Sequence, residues 1–462
     1  MIMTNLKSLP FARLSLFGGY SQGQTKQSHS YKRMTQGIVT AIASRAIAVI
    51  VSLISVPLTI HYLGPERYGA WITLTSILTY LTIFDLGIGN TVANGVSEAL
   101  AKGSTRLARR RVNTAYLSLT VISIGITALI ALAWPLISWP AVLGIRTDTN
   151  RDEISMAAAT AIMIVLASFP LSVTPRVMGA CHKVTISNFW NSVGSVASLL
   201  LLFFATRIKS GLPGLVWAVS GSTLIVGICS TVWLYKHFSW LRATIYDVKW
   251  SGVRELFGTA MPFFAVQISG IILFQTDNLV IAQVLGASAV TPYNVTWKLF
   301  SYASILQVIA LPTLWPAYSD AFARRDFKWV RKTYRYNLLI AVGTTAVFVL
   351  VLFLVSRKFI LIWAGPSAVP SMGLVLGMGI WTIVSSVSWC ESCLLGAAGQ
   401  VKGQALYSGI GSIVNLISSI LLARIFGLLG IILGTLVAYA LCILIPQTAD
   451  VMKLLKGVPT SK

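Results

Sequence analysis

The sequence predicts an all-α integral membrane protein of about 12 transmembrane helices, arranged as two six-helix halves related by an axis along the membrane normal. A low charged fraction, a series of long apolar windows and an internal repeat carry that expectation. Charged residues make up 11% of the 462-residue chain, against about 25% in a soluble domain, and the mean hydropathy is +0.77. A net charge of +23 would by itself suggest nucleic acid, because Lys and Arg that neutralise phosphates supply most non-specific affinity. No stretch is long and polar enough to gather that charge on a soluble fold, so nucleic acid is excluded as a partner.

A bilayer core about 30 Å thick needs roughly 20 apolar helical residues to cross it. Windows of that kind run over 38–62, 68–90, 113–137, 155–175, 184–206, 212–235, 257–284, 290–318, 335–356, 371–395, 403–424 and 428–448. With alternate loops placed on alternate sides, and Arg335 and Arg424 at the window ends counted with their adjoining loops, the tails and even-numbered loops hold 26 of the 36 Lys and Arg, the opposite loops 8 and the spans 2. Cytoplasmic loops are the ones enriched in Lys and Arg, so both termini are expected in the cytoplasm of a plasma (inner) membrane protein. Residues 1–37, which include Lys7, Arg13 and Lys26, have no apolar core of a secretory signal and read as a cytoplasmic tail. The longest connection on the opposite side, Ser138–Glu153, is too short for a catalytic domain.

The repeat is legible in the loops. "SEALAKGSTRLARRR" from Ser97 aligns without a gap to "SDAFARRDFKWVRKT" from Ser319, at an offset of 222, and Leu63–Gly64 recurs as Leu285–Gly286 at the same offset. "GACHKVTISNFWNSVGS" from Gly179 matches "GAAGQVKGQALYSGIGS" from Gly396, and "GLPG" from Gly211 matches "GLLG" from Gly427. The expected organisation is a tail 1–37, a half 38–236, a cytoplasmic linker 237–256, a half 257–448 and a tail 449–462. Halves with an even number of spans point the same way in the membrane, and such transporters carry substrate between the repeats near the midplane.

Ionisable residues inside a membrane are costly and need a partner or a wet cavity. Arg45, Asp85, Asp277, Lys298 and Glu391 fall inside or at the ends of spans. Arg45 and Asp85 lie 20 residues either side of Pro65, and Asp277 and Lys298 lie ten before and eleven after Ala287. At 1.5 Å per residue, each hairpin brings one cation and one anion to similar depth, which suits either structural charge pairs or groups facing a cavity. Polar residues at helical spacing support the cavity: Thr75, Thr79, Thr82 and Asp85; Thr291, Asn294, Lys298 and Ser301; Arg45, Ser52, Ser55 and Thr59. Arg45 and Lys298 suit an anionic headgroup such as a diphosphate. Asp85, Asp277 and Glu391 suit a coupling proton or cation.

No cofactor, metal or catalytic residue is indicated. There is no phosphate-binding G-x-x-x-x-G-K-[ST], G-x-S-x-G or H-E-x-x-H pattern. His29, His61, His182 and His237 are scattered. Cys390 and Cys393 form a C-x-x-C inside a span, where small-residue packing outweighs redox or metal chemistry.

"YLGPERYGAWITLTSILTYLTIFDLGIGNTVANGVSEAL", Tyr62–Leu100, resembles the polysaccharide transporter (O-antigen and exopolysaccharide flippase) family of the multidrug/oligosaccharidyl-lipid/polysaccharide exporter superfamily. The match lies in the turn residues Gly64, Tyr68 and Gly69 and in Asp85, Leu86 and Gly87, and "TDNLVIAQVLGASAVTPYNVTWKLF" from Thr276 resembles the corresponding later hairpin. The resemblance implies a flippase that moves undecaprenyl-diphosphate-linked oligosaccharide between leaflets by alternating access, for surface polysaccharide biosynthesis. Its implied partners are the lipid-linked oligosaccharide, membrane lipids, and polysaccharide polymerase and export proteins. Related flippases line a cationic cavity with basic residues of the first and eighth helices, which here carry Arg45 and Lys298; a Lys in place of the planar Arg weakens bidentate contact with a diphosphate. An ion-coupled drug antiporter of the same superfamily is the alternative, favouring acids over bases in its pocket. A membrane enzyme such as a polymerase would carry a large external loop or a catalytic acidic motif, and neither is visible.

Overall fold

The computed structural model describes residues 24–145, 151–241 and 275–456, with isolated helical positions 253, 257, 264 and 268. Most of the tail 1–37, most of the linker 237–256 and residues 457–462 of the second tail lie outside the described residues. Within them, every regular element is helical. Eight helices are long and apolar enough to cross a membrane, nine if the bent pair Arg151–Ser168 and Pro170–Ala180, meeting at 45°, forms one span. The remaining windows fall elsewhere. Val39–Asp85 spans two of them and is broken at Gly64 (φ 76°, ψ 170°). The window 257–284 is described chiefly over 275–284. The window 290–318 is split into Ala287–Ser301 and Ile305–Ala323 by a short turn at Tyr302–Ser304.

Helices are what an apolar solvent permits, since each backbone group must find a partner within the chain. Hydroxyls inside the bundle follow the same rule by bonding back one turn: Thr73 donates to the Gly69 carbonyl at 2.9 Å, and Thr79 to Thr75 at 2.9 Å. On the outside, Leu132, Leu136 and Ile362 are 77%, 85% and 86% exposed. Water would penalise such a surface by about 25 cal/mol per Å²; lipid tails do not.

The repeat extends to backbone conformation. Gly64 and Gly286, 222 positions apart, both combine positive φ with extended ψ (76°, 170° and 97°, 159°). At the same offset, Gly103 (φ 71°) matches Arg325 (φ 58°). Ser104 caps the Leu107 amide at 3.3 Å as Asp326 caps that of Trp329 at 2.9 Å. Glu98 pairs with Lys102 and Asp320 with Arg324, each one turn apart. Exposed pairs of this kind contribute under about 1 kcal/mol, so they serve here as markers of equivalence.

These basic loops mark one end of the bundle. At the far end, the carboxylate of Glu153 pairs with Arg67 and accepts from the Leu212 amide at 2.8 Å, while Tyr62 accepts from the Gly211 amide at 2.9 Å. Thus "LGPER" and "GLPG" meet in space. The halves join along two antiparallel stretches, with Thr291 donating to the Pro65 carbonyl (2.6 Å), Asn278 to Ser76 (3.0 Å), and Tyr80 bonded to Thr276 (2.7 Å).

Candidate functional site

Where 65–81 and 275–301 run side by side, a cavity of about 140 Å³ opens between the halves. Thr75, Ser76 and Thr79 face it from one half, and Gln275, Asp277, Asn278, Asn294 and Trp297 from the other. It is polar because the repeat brings two hydroxyl- and amide-bearing helix faces together at mid-bundle, and close packing there would bury polar groups without partners. The Asp277 carboxylate is its only acidic group among the described residues. Tyr293 donates to Asp277 Oδ2 at 2.6 Å and Thr435 at 3.4 Å, with Asn415 beside it. Asp277 Oδ1, Asn278 Oδ1 and Asn294 Oδ1 are shielded and have no hydrogen-bond partner, so acceptor capacity is left over on one side of the cavity.

The two charge pairs expected from matched depth are not made. Asp85 ends the 3₁₀ turn Thr82–Asp85 and accepts from the Gly89 amide at 3.1 Å. Its nearby cation is Arg176: a Cβ placed on Gly89 would stand 3.4 Å from Asp85 Oδ2 and 3.5 Å from Arg176 Nε. Asp277 is held by neutral hydroxyls, and half-buried Lys298 has no ion-pair partner among the described residues. Residue counting fixes depth along a helix but not the face, and the break after Leu81 removes even the depth argument for Asp85. Arg45 is exposed on the first helix and likewise has no ion-pair partner among the described residues.

The polar stripes divide. Thr75, Thr79 and Asn294 line the cavity. Thr291 instead ties the halves, Thr82 bonds back to Thr79 at 2.6 Å, Ser301 to Lys298 at 2.7 Å, and buried Thr59 to Ser55 at 2.7 Å. Glu391, 1% exposed, lies away from this cavity; its Oε1 accepts from Thr448 at 2.8 Å and its Oε2 has no partner. Beside it Ser388 bonds to Gln447 (2.7 Å) and Tyr439 (3.0 Å). Of the turn residues, Tyr68 is buried in a core shared by both halves, Gly87 (φ 74°) starts the helix Ile88–Ala101, and a Cβ on Gly69 would fall 1.8 Å from the Ala287 carbonyl oxygen.

Sequence reasoning missed Tyr293, Asn278 and Thr435. Tyr293 was within reach: it lies on the other arm of the same hairpin, seven residues after Gly286 with Asp277 nine before, so its long side chain can reach the carboxylate. Asn278 is the neighbour of Asp277 in "TDN". Thr435 comes from a distant span, and nothing in the sequence points to it.

The long apolar helices and the polar cavity between the halves define a multi-pass membrane protein with a polar interior. Solved structures of two conformations of a multidrug-resistance MATE family transporter of the MOP superfamily share the fold. The inward-facing one matches with a TM-score of 0.76 at 14% identity, covering 91% of this chain and all of that one; the outward-facing one matches at 0.66 and 14%, covering 93% and 97%. A family model described as polysaccharide biosynthesis protein matches residues 34–322, and the chain belongs to that family. It is similar to a Salmonella typhi protein designated an O-antigen transporter, 22% identical over 87% of this chain and 91% of that protein. It is also similar to a Yersinia pseudotuberculosis protein designated an O-antigen export protein, 22% identical over 88% and 94%. The chain is therefore a multi-pass membrane protein of the polysaccharide biosynthesis family with the fold of the MATE transporters.

Proposed function

We propose that the chain flips an undecaprenyl-diphosphate-linked oligosaccharide from the cytoplasmic to the periplasmic leaflet of the inner membrane by alternating access. The polar cavity between the halves, in a chain of the polysaccharide biosynthesis family, carries this reading. Sugar hydroxyls both donate and accept, and a cavity with hydroxyls, amides and spare acceptor oxygens suits them. Arg45 and Lys298 supply positive charge for the diphosphate. Asp277 and Glu391, each with one unpartnered oxygen, take a coupling proton or cation, and Asp85 remains a weaker candidate because a backbone amide already holds it. The basic end of the bundle faces the cytoplasm with both termini. The halves are 38–236 and 257–448, and polymerase and export proteins take over the product.

The test is a deletion strain. Loss of surface polysaccharide, with lipid-linked repeat units accumulating, is the expected phenotype; unchanged surface polysaccharide contradicts it. Export of a drug is the second reading, favoured by Asp277 lying in the cavity without a paired cation. Unchanged drug tolerance in the same strain disposes of it.

A further inference from the structure

At the far end of the bundle the halves meet in a narrow seam. The Gln283 carboxamide donates from Nε2 to the carbonyls of Ala141 (2.9 Å) and Val142 (2.6 Å), in and at the end of the four-residue helix Trp139–Val142. The Ala287 amide donates to the Gly144 carbonyl at 3.0 Å. A Cβ on Gly144 would fall 2.1 Å from the Ala282 carbonyl oxygen, as one on Gly69 would fall 1.8 Å from that of Ala287. Backbone thus lies directly on backbone at two points, with no room for a side chain.

From this geometry we infer that the seam is the outer gate of the transporter and that Gln283 is its latch; the inference rests on the alternating-access reading. The cavity lined by Asn294 and Asp277 lies deeper in the bundle than Gln283 and Ala287, so substrate leaving toward the far end must part the seam. The bonds that close it suit repeated opening. They are neutral, and their acceptors are carbonyls at the end of a short helix, that of Val142 and that of Ala141, which also accepts from the Gly144 amide at 3.2 Å. Gln283 itself is exposed, so water replaces these bonds when the halves separate, leaving a small net cost per bond. The glycines set the register: flat backbone contact closes fully, and any side chain at Gly144 or Gly69 holds the gate ajar.

The experiment uses the full chain in cells, with Asn294→Cys as a reporter inside the cavity and an impermeant maleimide applied from outside. Gln283→Ala removes both bonds and is expected to raise the labelling rate at least about fivefold, the factor that loss of even one ordinary hydrogen bond corresponds to, and Gly144→Val is expected to raise it further. Unchanged labelling with Gln283→Ala overturns the latch. Should Gly144→Val fail to accumulate, a second arm decides: Val142→Cys with Gln283→Cys, joined by a reducible bifunctional thiol reagent. Export should stop on cross-linking and resume on reduction; export that continues across the closed link overturns the gate. The readouts separate the two proposals. If labelling responds but deletion of the gene leaves surface polysaccharide intact, the gate stands and the flippase reading falls. If deletion abolishes surface polysaccharide but labelling never responds, the reverse holds.

Discussion

The Tyr293 hydroxyl holds Asp277 Oδ2 at 2.6 Å across the turn at Gly286, and Lys298, one and a half turns further along the same helix, has no ion-pair partner among the described residues. The hairpin therefore presents its anion and its cation separately. Tyr293 is fully inside the core shared by the halves, so the carboxylate is fixed in orientation, with its second oxygen aimed away from that bond.

Removing the phenol tests how much this matters. Hydrogen bonds to charged groups contribute about 1.5–3 kcal/mol, so Tyr293→Phe should lower the Tm of the detergent-purified protein by several degrees. Asp277→Asn keeps an oxygen for Tyr293 and should fold at wild-type level while losing the ion dependence of export. An unchanged ion dependence in Asp277→Asn removes Asp277 from the coupling role.

Arg45 and Lys298 make no ion pair within the described residues, so substituting them releases no buried carboxylate. Arg45→Ala and Lys298→Ala should each accumulate normally in the membrane and reduce export severalfold, measured as surface polysaccharide per unit of transporter. Lys298→Arg should retain export, since the guanidinium adds bidentate contact. Normal export by both alanine variants would return these residues to a passive role.

Glu391 poses the opposite balance. It is 1% exposed with one oxygen unpartnered, and a buried group of that kind costs stability unless function retains it. Glu391→Gln keeps an acceptor for Thr448 and removes the charge. Its Tm should equal or exceed that of the wild type while export falls; a lower Tm with normal export would make Glu391 a structural residue.

The repeated left-handed position before each cap gives a pair of stability changes with opposite sign. Arg325 (φ 58°) occupies a conformation that costs a non-glycine residue about 1 kcal/mol, whereas Gly103 (φ 71°) occupies it freely. Arg325→Gly should raise the Tm and Gly103→Ala should lower it. Shifts in the same direction would break the equivalence of the two loops.

Much of the architecture was legible because it depends on composition and on spacing along the chain. Apolar windows locate helices, and the 222-residue offset that aligned "SEALAKGSTRLARRR" with "SDAFARRDFKWVRKT" returns as matched caps at Ser104 and Asp326. The site was legible only in outline. Asp277, Thr75, Thr79 and Asn294 were identified by depth and period, and they do line one cavity. The pairing of charges failed because depth does not determine which face a side chain occupies, and because the helix breaks at Thr82–Asp85, the turn that carries Asp85. Thr435 at Asp277 and Gln283 at Ala141 are contacts between segments over 100 residues apart, and only tertiary packing brings them together.

The central claim is movement of a lipid-linked oligosaccharide between leaflets, and the most direct measurement is its leaflet distribution. Spheroplasts of the deletion strain, with and without the gene restored, are treated from outside with an impermeant reagent that oxidises exposed sugar. The account predicts that lipid-linked repeat units are largely protected without the transporter and become accessible when it is restored, and do so severalfold more slowly when Arg45→Ala is supplied instead. Equal accessibility with and without the gene would contradict it.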